Sequence, residues 1–265
     1  MKIKIILMII ISGFLTQTYS QNLTAADIIK KSKEKRRYQH MKSTSVITTT
    51  DKAGHKKTSK VLIYSQLFDN GKTEKRRVEI LEPSDMKGTV IFVFNYAGKP
   101  DEKYVYMPAI KQARKIAGNN MSKSFVGSVF TGADMALPSV DDYTLKLFAD
   151  TVINGDKCYS VYCFPKEKKT ISQTNYSKQI LYINKTNFIV EGGKFFDKKG
   201  ILRKIMEVKE IKKTGKTKPV NMATTIDIKD LRTEKESIMN IQNIQLDTKI
   251  DNNLFSLESL NKKNK

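Results

Sequence analysis

The sequence predicts a mainly β (α+β) protein. The expected architecture is an incomplete antiparallel β-barrel, or half-barrel, of about 11–12 strands with an N-terminal helix and a short mid-chain lid helix. Three observations carry this expectation. From Met41 onward, apolar residues recur with period two rather than 3.6. Turn signals break that rhythm at near-regular intervals, among them Ala53-Gly54, Asp69-Asn70-Gly71 and Asn154-Gly155-Asp156. A single long stretch, residues 23–38, has helical spacing instead.

Residues 1–20 have the form of a cleaved export signal. Lys2 and Lys4 precede an apolar run from Ile5 to Leu15, and Thr18 and Ser20 supply small side chains before a cut at Gln21. The run is too short to span a bilayer as a mature helix. Residues 21–265 are then expected to form one exported domain. In the helix at 23–38, Thr24 and Asp27 match a capping box, and Leu23 and Ile28 match a hydrophobic staple. Ala25, Ile28, Ile29 and Ser32 give it a narrow buried face.

Strands are expected at 43–50, 58–67, 75–81, 89–96, 104–107 and 110–117. The stretch T-V-I-F-V-F-N-Y at 89–96 is apolar on both faces, so it reads as a central, covered strand. A small-residue flap follows. Within it, Thr131 and Asp134 form a second capping-box pattern that Pro138 stops, which predicts a short helix over 131–137. Further strands are expected at 143–149, 159–164, 179–183, 188–196, 202–211, 220–228 and 236–246. Phe255 and Leu257 are placed to tack the tail down.

The 265 residues include 48 Lys and Arg against 27 Asp and Glu, a formal net charge of +21. The lysines are spread along the chain, the pattern of solvated strand faces. The balance also permits attraction to anionic headgroups or acidic partners. Export argues against nucleic acid as a partner. Cys158 and Cys163 stand at the start of, and within, the strand expected at 159–164. Their odd separation sends them to opposite faces, and five residues span roughly 16 Å, too far for a disulfide. Two buried free thiols are expected.

Signs of catalysis are lacking. His40 and His55 have no neighbourhood that makes either a metal ligand. There is no G-x-S-x-G, no phosphate-cradling glycine loop and no Cys–His signature. Asp141-Asp142 reads as a turn. No catalytic residue, metal or cofactor is therefore expected.

What the chain does carry is a surplus of apolar area. Phe92, Phe94, Tyr104, Tyr106, Phe125, Phe130 and Met135 are candidates for lining an apolar cavity. The plain alternative is that they fill a closed core. An acyl chain entering such a cavity gains about 0.8 kcal/mol per CH2 removed from water. The helix at 131–137, beside Gly127 and Gly132, has the form of a flap that swings. Arg77 is the candidate polar latch, bonding flap carbonyls in a closed state. Its alternative is an exposed strand arginine paired to Glu79 or Glu82.

Four elements in order resemble a known family. They are A-A-D-I-I at 25–29, K-R-R-V-E-I-L-E-P-S-D-M-K-G-T-V at 75–90, Y-V-Y-M-P-A-I-K-Q-A-R-K-I at 104–116 and S-F-V-G-S-V-F-T-G-A-D-M at 124–135. Together, behind an export signal, they resemble the outer-membrane lipoprotein-sorting proteins, relatives of LolA and LolB. The resemblance is concentrated in residues 75–135. It implies a half-barrel with a concave apolar pocket and helices as lid. It also implies a periplasmic, monomeric carrier of acylated lipoprotein or lipid cargo, working between an inner-membrane exporter and an outer-membrane acceptor without a cofactor. The chain departs from LolA proper in being longer and in lacking the Arg-Trp pair, having no tryptophan at all. The second expectation is a non-enzymatic periplasmic lipid- or partner-sensing module with a basic docking face; an exported hydrolase is the third.

Overall fold

The computed structural model describes residues 23–97, 99–116, 121–215 and 219–264. The expected signal at 1–20 lies outside the described residues. Helix α1 (Ala25–Lys35) is followed by a meander of β1 (His40–Thr50), β2 (Lys56–Phe68), β3 (Thr73–Glu82), β4 (Val90–Tyr96), β5 (Glu102–Met107) and β6 (Gln112–Lys115). A linking segment carries α2 (Gly132–Met135). A second meander follows: β7 (Tyr143–Ile153), β8 (Asp156–Pro165), helix α3 (Lys168–Thr174), β9 (Lys178–Asn184), β10 (Val190–Phe196), β11 (Leu202–Thr214), β12 (Val220–Asp230) and β13 (Lys235–Leu246).

All thirteen strands belong to one antiparallel sheet, ordered β6-β5-β4-β3-β2-β1-β13-β12-β11-β10-β9-β8-β7. The two meanders join where β1 pairs with β13, Ile47 standing opposite Met239. The two edges, β6 and β7, are consecutive in the chain. The segment between them must therefore travel from one edge of the sheet to the other.

The sheet curls around that segment. Val78 and Ile80 of β3, Val61 of β2, Ile47 of β1, and Phe195, Met206, Ile228 and Met239 of β10 to β13 share one buried cluster with Val126, Val129, Phe130 and Ala133. On a flat sheet β3 and β10 would stand six strand spacings apart, about 29 Å. Their meeting around one segment defines an inner face, and the unpaired edges make the barrel incomplete, as expected. Among the described residues there are thirteen strands, one for each stretch read from the sequence and slightly more than the expected total of about 11–12. Nothing in the sequence pattern predicts helix α3. It has seven residues, no side-chain cap at Glu167, and ends at Asn175 in the left-handed region (φ 63°). So short a helix shows no apolar stripe to read.

Helix α1 covers the other end of the inner face. Its Ala25, Ile28 and Ile29 pack on Tyr143, Val161, Cys163, Leu181 and Ile183. The capping box forms as expected: the Asp27 N–H donates to Thr24 Oγ1 (3.2 Å), and the Thr24 N–H donates to Asp27 Oδ2 (3.0 Å). The four residues the pattern assigned to its buried face are the four that are buried.

The outer face of β2–β5 is covered differently. The C-terminal turns Asn252–Phe255 and Leu257–Asn264 lie against it. Leu260 closes over Val90, Phe92, Phe94 and Tyr106. The Phe255 ring meets Phe68 edge-on at 5.7 Å, and Gln66 Nε2 donates to Asn252 Oδ1 at 2.7 Å. The tail is tacked down by Phe255, Leu257 and Leu260.

Both cysteines are free and buried. Cys163 faces inward with Val161, whereas the Cys158 thiol lies 3.7 Å from Glu191 Oε2. Burial pushes each thiol up to about 12.

On β12, Asp227 stands opposite Glu207 of β11. Burial, with the Glu236 carboxylate beside it, pushes the Asp227 carboxyl up to about 6. Its unfolded value is about 3.9. Between these values the folded state holds the extra proton, so stability falls as pH rises from about 4 to 6. Asp227→Asn is expected to flatten that part of the pH–stability curve. Urea midpoints at pH 4 and pH 6.5 check this, and an unchanged difference between them would count against it.

Candidate ligand site: the plug and its latch

The inner face is filled by the chain itself. Ser124 and Thr131 bridge as in a small hairpin. The Phe125 N–H donates to the Phe130 carbonyl (2.8 Å) and the Ser128 N–H to the Phe125 carbonyl (3.0 Å). This turn needs positive φ at both central residues, Val126 (45°) and Gly127 (77°). Glycine adopts that conformation freely. A β-branched valine does not, and such a residue stores about 1–3 kcal/mol. Val126 is held there because its side chain is buried in the inner cluster and its carbonyl accepts from Ser59 Oγ (3.1 Å). With Val129, Phe130 and Ala133 it forms a plug.

Helix α2 follows directly. Thr131 is its N-cap, and Asp134 completes the capping box read from the sequence. Asp134 does more than cap. Its side chain is fully buried. Oδ1 accepts from the Tyr176 hydroxyl at 2.5 Å. Oδ2 accepts from Lys204 Nζ at 2.8 Å and from the Thr131 N–H at 2.7 Å. Lys204 Nζ also donates to the Val129 carbonyl at 2.7 Å. Burial and the Asp134 carboxylate push the Tyr176 hydroxyl far above its usual range, so it stays a donor. At the end of α2, Arg36, the C-cap of α1, donates to the Met135 carbonyl at 2.9 Å. The plug is thus tied to β2, β11 and α1, and to Tyr176, by polar bonds that are made one by one.

Beside the plug a cleft of about 690 Å³ opens, bordered by Ser124, Ser128 and Thr131 on one side and by Lys198, Lys199 and Lys204 on another. Its wall is polar. Among the described residues, no group of three or more His, Cys, Asp or Glu side chains is placed to hold a metal ion.

The seven candidate lining residues divide between the two faces. Phe130 is 1% exposed at the centre of the inner cluster, with Phe125 and Met135 half-buried against it. Phe92, Phe94 and Tyr106 are buried on the outer face under the C-terminal tail, with Tyr104 half-buried beside them. One cavity lined by all seven does not exist in this structure. The cause is register: a shift of one residue exchanges the faces of a strand. Val78 points inward and pairs with Ile91, which leaves Arg77, Phe92 and Tyr104 side by side on the outer face.

Arg77 goes with them. It is 1% exposed and donates to the Leu254 carbonyl (3.3 Å) and Ser259 Oγ (3.1 Å), pairs with Glu79 (3.3 Å), and lies over the Phe92 ring. It latches a segment, but that segment is the C-terminal tail and not the flap. Arg77→Met keeps the apolar stem and removes these bonds. The variant is expected to lose about 2 kcal/mol of stability and to become cleavable by chymotrypsin after Leu254, Phe255, Leu257 or Leu260 under native conditions. A tail as resistant as that of the wild type would contradict the latch.

The residues that hold the plug, Lys204 and Tyr176, were not among those singled out from the sequence. Lys204 carried a signal. It shares the inward register of β11 with Met206 and Val208, and a lysine in an apolar register implies a buried partner. Tyr176 carried none.

The model of a family described as "Uncharacterized protein" matches residues 72–262. No curated protein matches the chain. Several solved structures share the fold. A DUF1329 family protein from Desulfovibrio piger is 24% identical, with a TM-score of 0.79 over 89% of this chain and 97% of that one. A domain assigned as an outer membrane lipoprotein-sorting protein from Vibrio parahaemolyticus is 21% identical, with a TM-score of 0.77 over 89% and 97%. A LolA superfamily protein from Nitrosomonas europaea is 19% identical, with a TM-score of 0.65 over 90% and 100%. At these identities the likeness establishes the fold.

Proposed function

Because the chain belongs to the family matched over residues 72–262 and has the fold of the LolA superfamily, we propose that it is a periplasmic carrier of acyl chains. Its cargo is a lipoprotein or a lipid, taken into the inner face of the half-barrel and moved toward the outer membrane. It works without catalysis or cofactor, as a monomer, between an inner-membrane exporter and an outer-membrane acceptor. The single observation that supports this most is the way the inner face is closed. Val126, Val129 and Phe130 fill it from a latched segment, where barrel closure would have filled it permanently.

Magnitudes favour an exchange. Ten methylenes of an acyl chain gain about 8 kcal/mol on burial. Exposing Val126, Val129 and Phe130 costs roughly 6 kcal/mol in total. Relief of the Val126 backbone returns about 1–3 kcal/mol. The roughly 3–5 kcal/mol that remains in favour of the acyl chain is opposed by loss of the latch bonds, at about 1 kcal/mol each, which suits cargo that must be released again. Delipidated protein incubated with a diacylated peptide or phospholipid should carry one such molecule in a native mass spectrum. Protein that remains unliganded throughout overturns the carrier.

The filled inner face also favours a second reading, a sensing module that docks on a membrane or partner through its basic surface. Its signature is salt-sensitive liposome binding with no lipid extracted.

A further inference from the structure

We propose that the cleft beside the plug binds the phosphate of an anionic lipid headgroup, and that this binding loosens the plug. The proposal rests on the carrier reading and adds the headgroup class of its cargo.

The charge of the cleft is the first support. Lys198, Lys199, Arg232 and Lys235 line it beside Arg203 and Lys204, against two acids, Asp197 and Asp230. Both acids are already engaged. Asp230 Oδ2 accepts from Arg203 Nε (2.9 Å) and from the second guanidinium nitrogen (2.6 Å), and its Oδ1 takes the N–H groups of Arg232 and Thr233. Asp197 Oδ1 takes the N–H groups of Lys199 and Ile201. Among the described residues, Lys198, Lys199, Arg232 and Lys235 have no ion-pair partner. Four cations outside any ion pair, of which only Lys199 acts on the Asp197 carboxylate, favour an anion in this concavity.

The second support is the link to the plug. Lys204 lines the cleft while its side chain is nearly buried. An ammonium has three N–H donors. Two of them go to the Val129 carbonyl and to Asp134 Oδ2. The third is left for a ligand in the cleft, and a phosphate drawn to it competes with Asp134 for the ammonium. By linkage, an anion that binds more tightly with the plug loose must loosen the plug.

Position is the third. Ser124, Ser128, Val129 and Thr131 border the cleft and belong to the plug segment. A headgroup seated in the cleft therefore has its acyl chains next to the apolar surface that the plug would vacate.

The test uses the full-length chain processed by export. The protein is incubated with vesicles of phosphatidylglycerol or of phosphatidylcholine with the same acyl chains, and retained lipid is read by native mass spectrometry. Both lipids carry a phosphate, but in phosphatidylcholine the choline cation offsets its charge and is repelled by the cations of the cleft, so phosphatidylglycerol should be retained at least about tenfold over phosphatidylcholine. Lys198 and Lys199 are exposed turn residues, so K198E/K199E should fold normally. That variant should lose the preference and keep its phosphatidylcholine uptake. Uptake of both lipids without preference, or a preference that survives K198E/K199E, overturns the headgroup site and leaves the carrier standing. Retention of neither lipid overturns the carrier and this proposal with it. Inorganic phosphate is the third arm. If it alone exposes the plug to proteolysis at 121–131 as fully as the lipid does, a free anion is the ligand and the headgroup assignment fails.

Discussion

Asp134→Ala is expected to destabilise the protein by about 3 kcal/mol and to release the plug. The carboxylate is fully buried and accepts from Tyr176, Lys204 and Thr131. Its loss leaves the Lys204 ammonium with the Val129 carbonyl alone and the Tyr176 phenol without its acceptor, and the uncompensated buried charge dominates that cost. Lys204→Met is the informative counterpart. It removes the charge, and Asp134 keeps the Tyr176 and Thr131 donors, so the loss should be smaller. The double variant should cost less than the sum of the two single changes, because the second change removes the partner that the first left stranded. Urea unfolding of the four proteins gives the ordering. Strictly additive losses would show that Asp134 and Lys204 do not act together as a latch.

Phe130→Ala is expected to cost about 3–5 kcal/mol while raising acyl-chain uptake. Phe130 is the largest side chain of the plug and is 1% exposed. Its neighbours belong to strands pinned in a continuous sheet, so the site collapses little and the cavity term is felt in full. The same cavity removes part of what an acyl chain must displace. Stability and uptake should therefore move in opposite directions. A variant that loses both would indicate that Phe130 is core and nothing more.

Much of this architecture was legible in the sequence, and the failures have physical causes. Both capping boxes, the four buried positions of α1 and the anchoring role of Phe255 depend on local chemistry, within one helical turn or one aromatic contact. The face of β4 does not. Ile91 and Val93 alternate with Phe92 and Phe94, so either set suits a core by composition. Pairing with β3 decides between them, since Val78 and Ile80 point inward. The aromatic face is then free to be covered by a tail from the other end of the chain. Arg77 follows the same register, which is why it is a latch for the tail. The small residues and glycines of the plug predict a mobile flap. Its depth depends on Lys204 and Tyr176, contributed from far along the chain.

Acyl entry into the inner face is tested most directly by tryptophan quenching. The chain contains no tryptophan, so a single one reports its own surroundings. Phe195→Trp places it on the inner wall against the plug cluster, and Phe92→Trp places it on the outer face under the tail. Lipid brominated on its acyl chains quenches indole fluorescence only near contact. Quenching at position 195 with position 92 unaffected is the expected result. Quenching at 92 alone, or at neither position while lipid is bound, would contradict an acyl site on the inner face.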